Sequence, residues 1–336
     1  MFKKSARFID LFCGIGGFRI AAEQVLSQHD IEAKCVFSSD IDPHVQESYY
    51  KNFGDMPRGD ITKTPATAIP DHDVLFAGFP CQPFSIIGSG RGFDDARGTL
   101  FFDIARIIEA KKPKAFILEN VKRLTTHCDG LTMKKIGNVL KKLGYFVDFR
   151  ILNALDYGLP QKRERVFIVG YFKQIPFQWP QKHDKTISLS EILETQVDEK
   201  HYASQRIQAK RKSKHMSAAK PSIWHENKSG NISSYPYSCA LRAGASYNYL
   251  LVDGKRRLTP REMLRLQGFP DWYKIVVPDG QLRKQAGNAV PVNMVRAVFS
   301  SLIPFLKEDL KDGKCTYSKK VVEKDEFTKI STLAYS

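Results

Sequence analysis

Cys81 stands in the stretch Gly78-Phe79-Pro80-Cys81-Gln82-Pro83-Phe84-Ser85, directly after a short apolar run, Val74–Ala77. Two prolines and nearby glycines are poor core material, so this thiol belongs on a constrained loop rather than in a packed strand. It is either a structural cysteine or a nucleophile, and a nucleophile must be a thiolate, which positive neighbours favour. Arg163 and Arg165, in Gln161-Lys162-Arg163-Glu164-Arg165, are available cations; otherwise that stretch is an exposed charged turn. Glu119, with Asn120-Val121 after it, directly follows the apolar run Ala115–Leu118. A carboxylate there is a helix cap, a surface charge or a site group, and its place at a strand end favours the last. Gly88, Gly90, Gly92 and Gly98 follow the cysteine, as in a loop able to close over a ligand.

A second group lies at the N-terminal end, Phe8-Ile9-Asp10-Leu11-Phe12-Cys13-Gly14-Ile15-Gly16-Gly17-Phe18. A strand that runs into a glycine-rich turn and then a helix lets backbone N–H groups approach a ligand closely. Asp40 ends the next apolar run, where a carboxylate can bind ribose hydroxyls. By itself this pattern fits a nicotinamide dinucleotide site, an S-adenosylmethionine site or a tight structural turn.

The elements that must position these groups alternate. Strands are expected at Arg7–Phe12, Cys35–Ser38, Val74–Ala77, Ala115–Leu118, Phe146–Leu152 and Val166–Tyr171. Helical periodicity covers Phe18–Leu26, Pro43–Phe53, Leu100–Ala110 and Met133–Leu143. That alternation implies an α/β fold with a mainly parallel sheet and helices on both faces, and such sheets bind ligands beyond the carboxyl ends of their strands. After about residue 173 the texture changes to weak periodicity, a basic run Lys210-Arg211-Lys212-Ser213-Lys214-His215, and many Ser, Asn and Tyr. This reads as a smaller, irregular domain over 176–287. The first domain, 1–175, is completed by 288–311 through a last helix from about Val292 to Leu310. Helix Pro260–Gln267 ends at Gly268, and 312–336 form a polar extension without a functional reading.

The chain has 336 residues, more than one hydrophobic core usually spans. Lys plus Arg exceeds Asp plus Glu by 52 to 36, and the excess is uneven: residues 1–172 carry 24 basic and 20 acidic residues, residues 173–336 carry 28 and 16. A basic second half points to a polyanionic partner, most simply nucleic acid, or else to a solvated basic surface. No signal peptide or uninterrupted apolar run of bilayer length is read, which argues against a membrane protein. The six cysteines are scattered, without the spacing of a zinc site, as suits reduced thiols in a cytoplasm; no metal is expected.

Taken together, these motifs resemble the DNA (cytosine-5)-methyltransferase family over about residues 7–172 and 254–311, in the family's motif order. Pro80-Cys81-Gln82, Glu119-Asn120-Val121, Gln161–Arg165 and Gly287-Asn288 carry the resemblance, and the layout looks like a bacterial type II restriction–modification methylase. The resemblance implies an S-adenosylmethionine-dependent, Rossmann-like fold. It makes Cys81 the thiolate that attacks cytosine carbon 6 and Glu119 the partner of ring nitrogen 3 and the exocyclic amine. Arg165 then contacts the base carbonyl, and Arg163 supports the loop and thiolate. The cytosine must be flipped out of the duplex. Phe12, Gly14, Ile15, Gly17, Asp40, Ile41, Asp60, Ile61, Pro80, Leu100, Asn288 and Val290 are the implied cofactor contacts. Asp40 stands where the family usually has Glu. Ile41 replaces an often aromatic residue, so adenine packing is expected to be aliphatic, and Ile87 replaces a small polar one.

The irregular region is then the target-recognition domain for double-stranded DNA, supported by Arg257–Gly268. Ser85, Arg97, Arg242, Tyr247, Asn248 and Arg257 are the candidate DNA contacts, each against the plain reading of a surface residue. Ala240-Leu241 stands where Thr-Leu is common. A monomer suffices for chemistry on one strand, and a partner endonuclease acting on the same site without a stable complex is compatible with the layout. Three rivals remain: a transfer-RNA cytosine methylase sharing these motifs, a nicotinamide-dependent oxidoreductase using the Gly14–Gly17 turn, and a DNA-binding relative without catalysis. The oxidoreductase leaves Cys81, Glu119 and the two arginines unexplained.

Overall fold

The computed structural model describes residues 4–80, 100–172, 176–183, 185–217 and 219–312. In chain order its first part is β1 Lys4–Leu11, α1 Gly17–Gln28, β2 Ile31–Ser39, α2 Pro43–Phe53, β3 Val74–Gly78, α3 Leu100–Lys111, β4 Ala115–Val121, α4 Leu131–Lys142, β5 Phe146–Asn153, β6 Gln161–Lys162 and β7 Glu164–Tyr171. Six strands form one sheet in the order β2-β1-β3-β4-β7-β5. β1, β2, β3 and β4 are mutually parallel, whereas β7 runs antiparallel to both β4 and β5. The mainly parallel sheet expected from the alternation is therefore present, with one reversed strand. The ten residues 154–163 between β5 and β7 are too few to carry the crossover of a dozen or more residues that a parallel return needs.

Both faces of the sheet are covered. Phe8, Val74, Phe76, Ala115, Ile117, Phe167 and Val169 point into a core shared with α1. Their alternate neighbours Ile9, Leu11, Leu75, Ala77, Phe116, Leu118, Val166 and Ile168 point into a second core with α3 and α4. Burial on both faces is why these strands read as continuous apolar runs. Pro43 at the first turn, an Asp42 side chain accepting from His44 and Val45 N–H, and Gly54 in the left-handed conformation bound α2 where the sequence pattern put it.

The second part contains α5 Leu189–Ile192, α6 Gln205–Lys214, β8 Ile223–Glu226, β9 Ile232–Tyr235, β10 Ser238–Cys239, β11 Leu250–Val252, α7 Pro260–Leu266, α8 Asp279–Asn288 and α9 Val292–Asp312. β11-β8-β9 form an antiparallel sheet over a small core that includes Leu189, Ile223, Leu241, Leu250 and Leu258. α9 then packs its apolar stripe, Val295, Val298, Phe299 and Leu302, on the α1 side of the large sheet. Residues Asp279–Leu306 are long and apolar enough by composition to cross a bilayer, but 61% of their apolar window is buried inside this fold, as for a core helix. Leu264, Phe269, Tyr273 and Leu282 also join the α1 core, ahead of residue 288.

Candidate active site

Strand register brings the acid to the root of the cysteine loop. Gly78 pairs with Glu119 in the parallel β3–β4 ladder, so the carboxylate lies beside the segment that continues into Phe79-Pro80-Cys81. A Cβ at Gly78 would sit 3.6 Å from Glu119 Oε2, an ordinary contact, which places the carboxylate directly beside this strand end. Asn120 is buried and donates from Nδ2 to the Phe79 carbonyl at 2.8 Å, which fixes the chain immediately before Pro80. Pro80 itself is exposed. Cys81, Ser85 and Arg97 lie outside the described residues, as does Ile87.

Arg165 faces Glu119 across the antiparallel β4–β7 ladder. It pairs with Val121, two residues from Glu119 and on the same face of the sheet, and its Nε approaches Glu119 Oε1 to 2.9 Å. Burial raises the Glu119 pKa, and the opposing pull of Arg165 and Arg163 does not cancel it. A carboxyl that keeps its proton in this setting can donate to a ring nitrogen while its other oxygen accepts from an amine.

Arg163 does something different. Its side chain is 1% exposed and donates from Nη1 to the Leu241 carbonyl and from Nη2 to the Gly287 and Ala289 carbonyls, all at 2.9 Å. Burial and the neighbouring Arg165 push its pKa down to about 9. Arg163 thus ties three distant segments together beneath the site. Gln161 adds to the clasp, donating to the Leu266 carbonyl at 2.8 Å and accepting from Leu241 N–H at 3.0 Å. Asn120 and Gln161 lie inside the motifs quoted from the sequence, but their roles depend on long-range partners that no spacing reveals.

The glycine-rich turn closes around Asp40. Gly14 N–H donates to Asp40 Oδ2 and Asp42 N–H to Oδ1, both at 3.0 Å, and burial raises the Asp40 pKa. Gly14 has φ +51° and a Cβ there would meet nothing within 4 Å, so the turn faces open space. Gly17 is a different kind of glycine: its Cβ would lie 2.7 Å from the Val290 carbonyl oxygen and 2.9 Å from Val290 Cγ1. This close approach brings Val290 against the turn, and Asn288, two residues earlier, is exposed. Phe12 has a positive φ of 55°, whereas the Ile15 and Ile61 side chains are buried in the two cores, leaving their backbone as the group available to a ligand. Ile41 is 72% exposed beside Asp40. Asp60 Oδ1 accepts from Thr62 N–H and Oγ1, bonds that lower the Asp60 pKa. Leu100 opens α3, half-buried against the second core. Asp10, fully buried at the end of β1, received no role from the sequence; burial drives its pKa up against the opposing Arg19.

In the second part of the chain, Arg242 lies over the Tyr249 ring at 4.8 Å, and Arg257 and Arg283 over Tyr247 at 5.6 and 4.4 Å. Tyr247 is exposed, Arg257 donates to the Lys200 carbonyl, and the Asn248 carbonyl accepts from Arg211. Arg242, Tyr247, Asn248 and Arg257 therefore occupy one neighbourhood that also holds Arg283, which the sequence pattern did not single out.

The C-5 cytosine-specific DNA methylase family matches residues 6–304 of the chain. The chain belongs to the DNA (cytosine-5)-methyltransferase family. It is an enzyme of the type II restriction–modification kind within that family. It is 54% identical over 303 residues to the type II methyltransferase M.HaeII of Haemophilus aegyptius, covering 89% of this chain and 93% of that one. It is also 54% identical over 292 residues to M.NgoBI of Neisseria gonorrhoeae, covering 86% and 90%. Among solved structures, the Entamoeba histolytica methyltransferase EhMeth superposes with a TM-score of 0.67 at 20% identity, covering 92% of this chain and all of the other. The S. pombe Dnmt2 methyltransferase gives 0.66 at 23%, covering 91% and 99%. At those identities the structures show the shared fold. This cytosine-5 methyltransferase thus has the α/β architecture expected from its strand–helix alternation.

Proposed function

We propose that this methyltransferase flips a cytosine out of a short, specific duplex sequence and methylates it at carbon 5, protecting host DNA in the cytoplasm from an endonuclease that reads the same site. The observation that carries the reading is the register of β3, β4 and β7, which groups Glu119 and Arg165 at the root of the Cys81 loop.

The open turn at Gly14, the Asp40 carboxylate and exposed Ile41 have the chemistry to hold S-adenosylmethionine: backbone approach, a ribose acceptor and an apolar surface for adenine. Val290 and Asn288 complete the methionine side. When bound, S-adenosylmethionine supplies an electrophilic methyl group.

Cytosine carbon 5 is a poor nucleophile. The Cys81 thiolate bonds to carbon 6, and the ring electrons move toward nitrogen 3. There the Glu119 carboxyl donates its proton while its other oxygen accepts from the exocyclic amine. Arg165, whose Nε lies 2.9 Å from Glu119 Oε1, contacts the base carbonyl. Carbon 5 is then an enamine-like nucleophile that takes the methyl group. Return of the nitrogen 3 proton to Glu119, loss of the carbon 5 proton to a water, and departure of the Cys81 sulfur as thiolate restore the aromatic ring and the starting carboxyl.

The test is bisulfite sequencing of unmethylated plasmid after incubation with the protein and S-adenosylmethionine, with Cys81→Ser in parallel. Protected cytosines in one repeated short context, absent from the variant, are expected. Protection by the variant overturns the nucleophile, and protection of transfer RNA but not plasmid moves the substrate to RNA.

A further inference from the structure

The basic run of the recognition region has no part in the chemistry above. Between Lys200 and His225 the chain carries seven Lys or Arg and no Asp or Glu. Its centre folds into α6, which is fixed through one buried cation. Arg211, 2% exposed, pairs with Glu226 Oε2 at 2.8 Å and donates to the Asn248 carbonyl. At the helix end the His215 ring stands edge-on to Trp224, with centroids 4.9 Å apart, and its Nε2 lies 2.8 Å from Ser234 Oγ. These contacts tie α6 to β8, to β9 and to the segment that carries Arg242, Tyr247 and Asn248. Arg163 holds the other end of that segment, at Leu241, to the catalytic strand. α6 thus packs directly on the segment that carries Arg242, Tyr247 and Asn248.

Arg206, Lys210 and Lys214 recur at every fourth residue, so they form one stripe about 12 Å long. All three are exposed, and among the described residues none has an acidic side chain within 4.0 Å. Like charges four residues apart oppose a helix, so this stripe is at its most stable against an anion. Along about 12 Å one strand of a duplex offers three or four phosphates, and exposed Lys and Arg contact phosphates without reading bases.

We propose that α6 is a second DNA-contacting surface, its Arg206–Lys210–Lys214 stripe taking backbone phosphates of the duplex beyond the bases that the enzyme reads. The inference rests on the recognition region binding duplex DNA. It adds affinity and footprint, not sequence choice.

The experiment compares the wild type with the triple variant Arg206→Gln, Lys210→Gln, Lys214→Gln. Each is titrated across salt with two duplexes, about 14 and about 40 base pairs long, centred on a site mapped by bisulfite sequencing. Each phosphate contact contributes about 0.9 to the slope of log affinity against log salt. The triple variant is expected to lose about two to three units of slope on the long duplex and none on the short one, with wild-type kcat on the short duplex. Gln has nearly the helix propensity of Lys, so helix content by circular dichroism is retained. If the triple variant does not fold, Lys210→Gln alone carries the comparison with a loss of about one unit. An unchanged slope on the long duplex, or an equal loss on both lengths, overturns the proposal. Salt-independent binding of both duplexes by the wild type overturns the DNA reading of the region itself.

Discussion

Glu119 and Arg163 are two buried charged residues with opposite duties. Glu119 is the carboxyl proposed to meet the flipped base, and its raised pKa keeps the protonated form to higher pH than an ordinary glutamate. Its stability contribution is fully present below the ordinary glutamate range and is lost as pH rises through the raised value. If Glu119 is the donor to cytosine, as proposed, its proton is lost over the same range and kcat falls on the alkaline side. Glu119→Gln cannot ionise; it is expected to reduce kcat by about 10²-fold and to remove that alkaline limb. A limb that persists in the variant belongs to another group. Arg163 instead satisfies three backbone carbonyls from two remote segments. Arg163→Met leaves those acceptors buried without donors and is expected to destabilise the fold by about 2–4 kcal/mol in urea unfolding, with Arg163→Lys intermediate. A midpoint equal to wild type would show that the clasp contributes nothing net.

At the scale of elements, the β1–α1 turn separates two uses of glycine. Gly14 faces open space with a positive φ, whereas Gly17 lies against a backbone oxygen of the segment that leads into α9. Gly14→Ala is expected to cost about 1–2 kcal/mol of backbone strain and to weaken S-adenosylmethionine binding, because its Cβ would enter the open side of the turn. Gly17→Ala forces Val290 away and is expected to lower the melting temperature more, since a carbonyl at 2.7 Å has no flexible end to move. Calorimetric titration with the cofactor and thermal melts of the two variants check the contrast; equal melting temperatures would contradict it. Both glycines were visible in the sequence as one cluster, and only the partner across the turn distinguishes them.

At the scale of the whole molecule, the chain leaves the large sheet and comes back to it in α9. Gln285 accepts from Ser48 Oγ at 3.1 Å and donates to the His44 carbonyl at 2.9 Å, and Asn52 bonds the Lys274 backbone, so α2 holds the returning segment. Gly287 lets α8 touch the segment that carries Arg242: a Cβ there would lie 2.4 Å from Ala243 N. Gly287→Ala is expected to push Arg242 and its neighbours off α8 and to weaken DNA binding more than cofactor binding. Parallel titrations with duplex and with S-adenosylmethionine read the difference, and equal losses would mean a general unfolding effect. The net charge of +16, concentrated in the second half, predicts that DNA affinity falls steeply with salt. A flat dependence, measured by fluorescence anisotropy, would contradict a basic DNA surface.

Local chemistry determined much by itself. Apolar runs marked the four inner strands β1, β3, β4 and β7, which are buried on both faces and need no alternation to be recognised, and further runs marked the half-buried edge strands β2 and β5. Capping and proline signals bounded α2. The motif residues at strand ends pointed to one edge of that sheet. Tertiary structure decided the rest. The reversal of β7 follows from a connection too short for a crossover, yet it is that reversal which sets Arg165 against Glu119. α6, α8 and the short strands after residue 173 carry weak or no periodicity. They are stabilised by distant partners, Arg211 on Glu226 and Gly287 on Ala243 among them, rather than by their own residue pattern. The clasp of Arg163 joins residues 78 to 126 positions apart, and contacts at that separation leave no trace in local spacing.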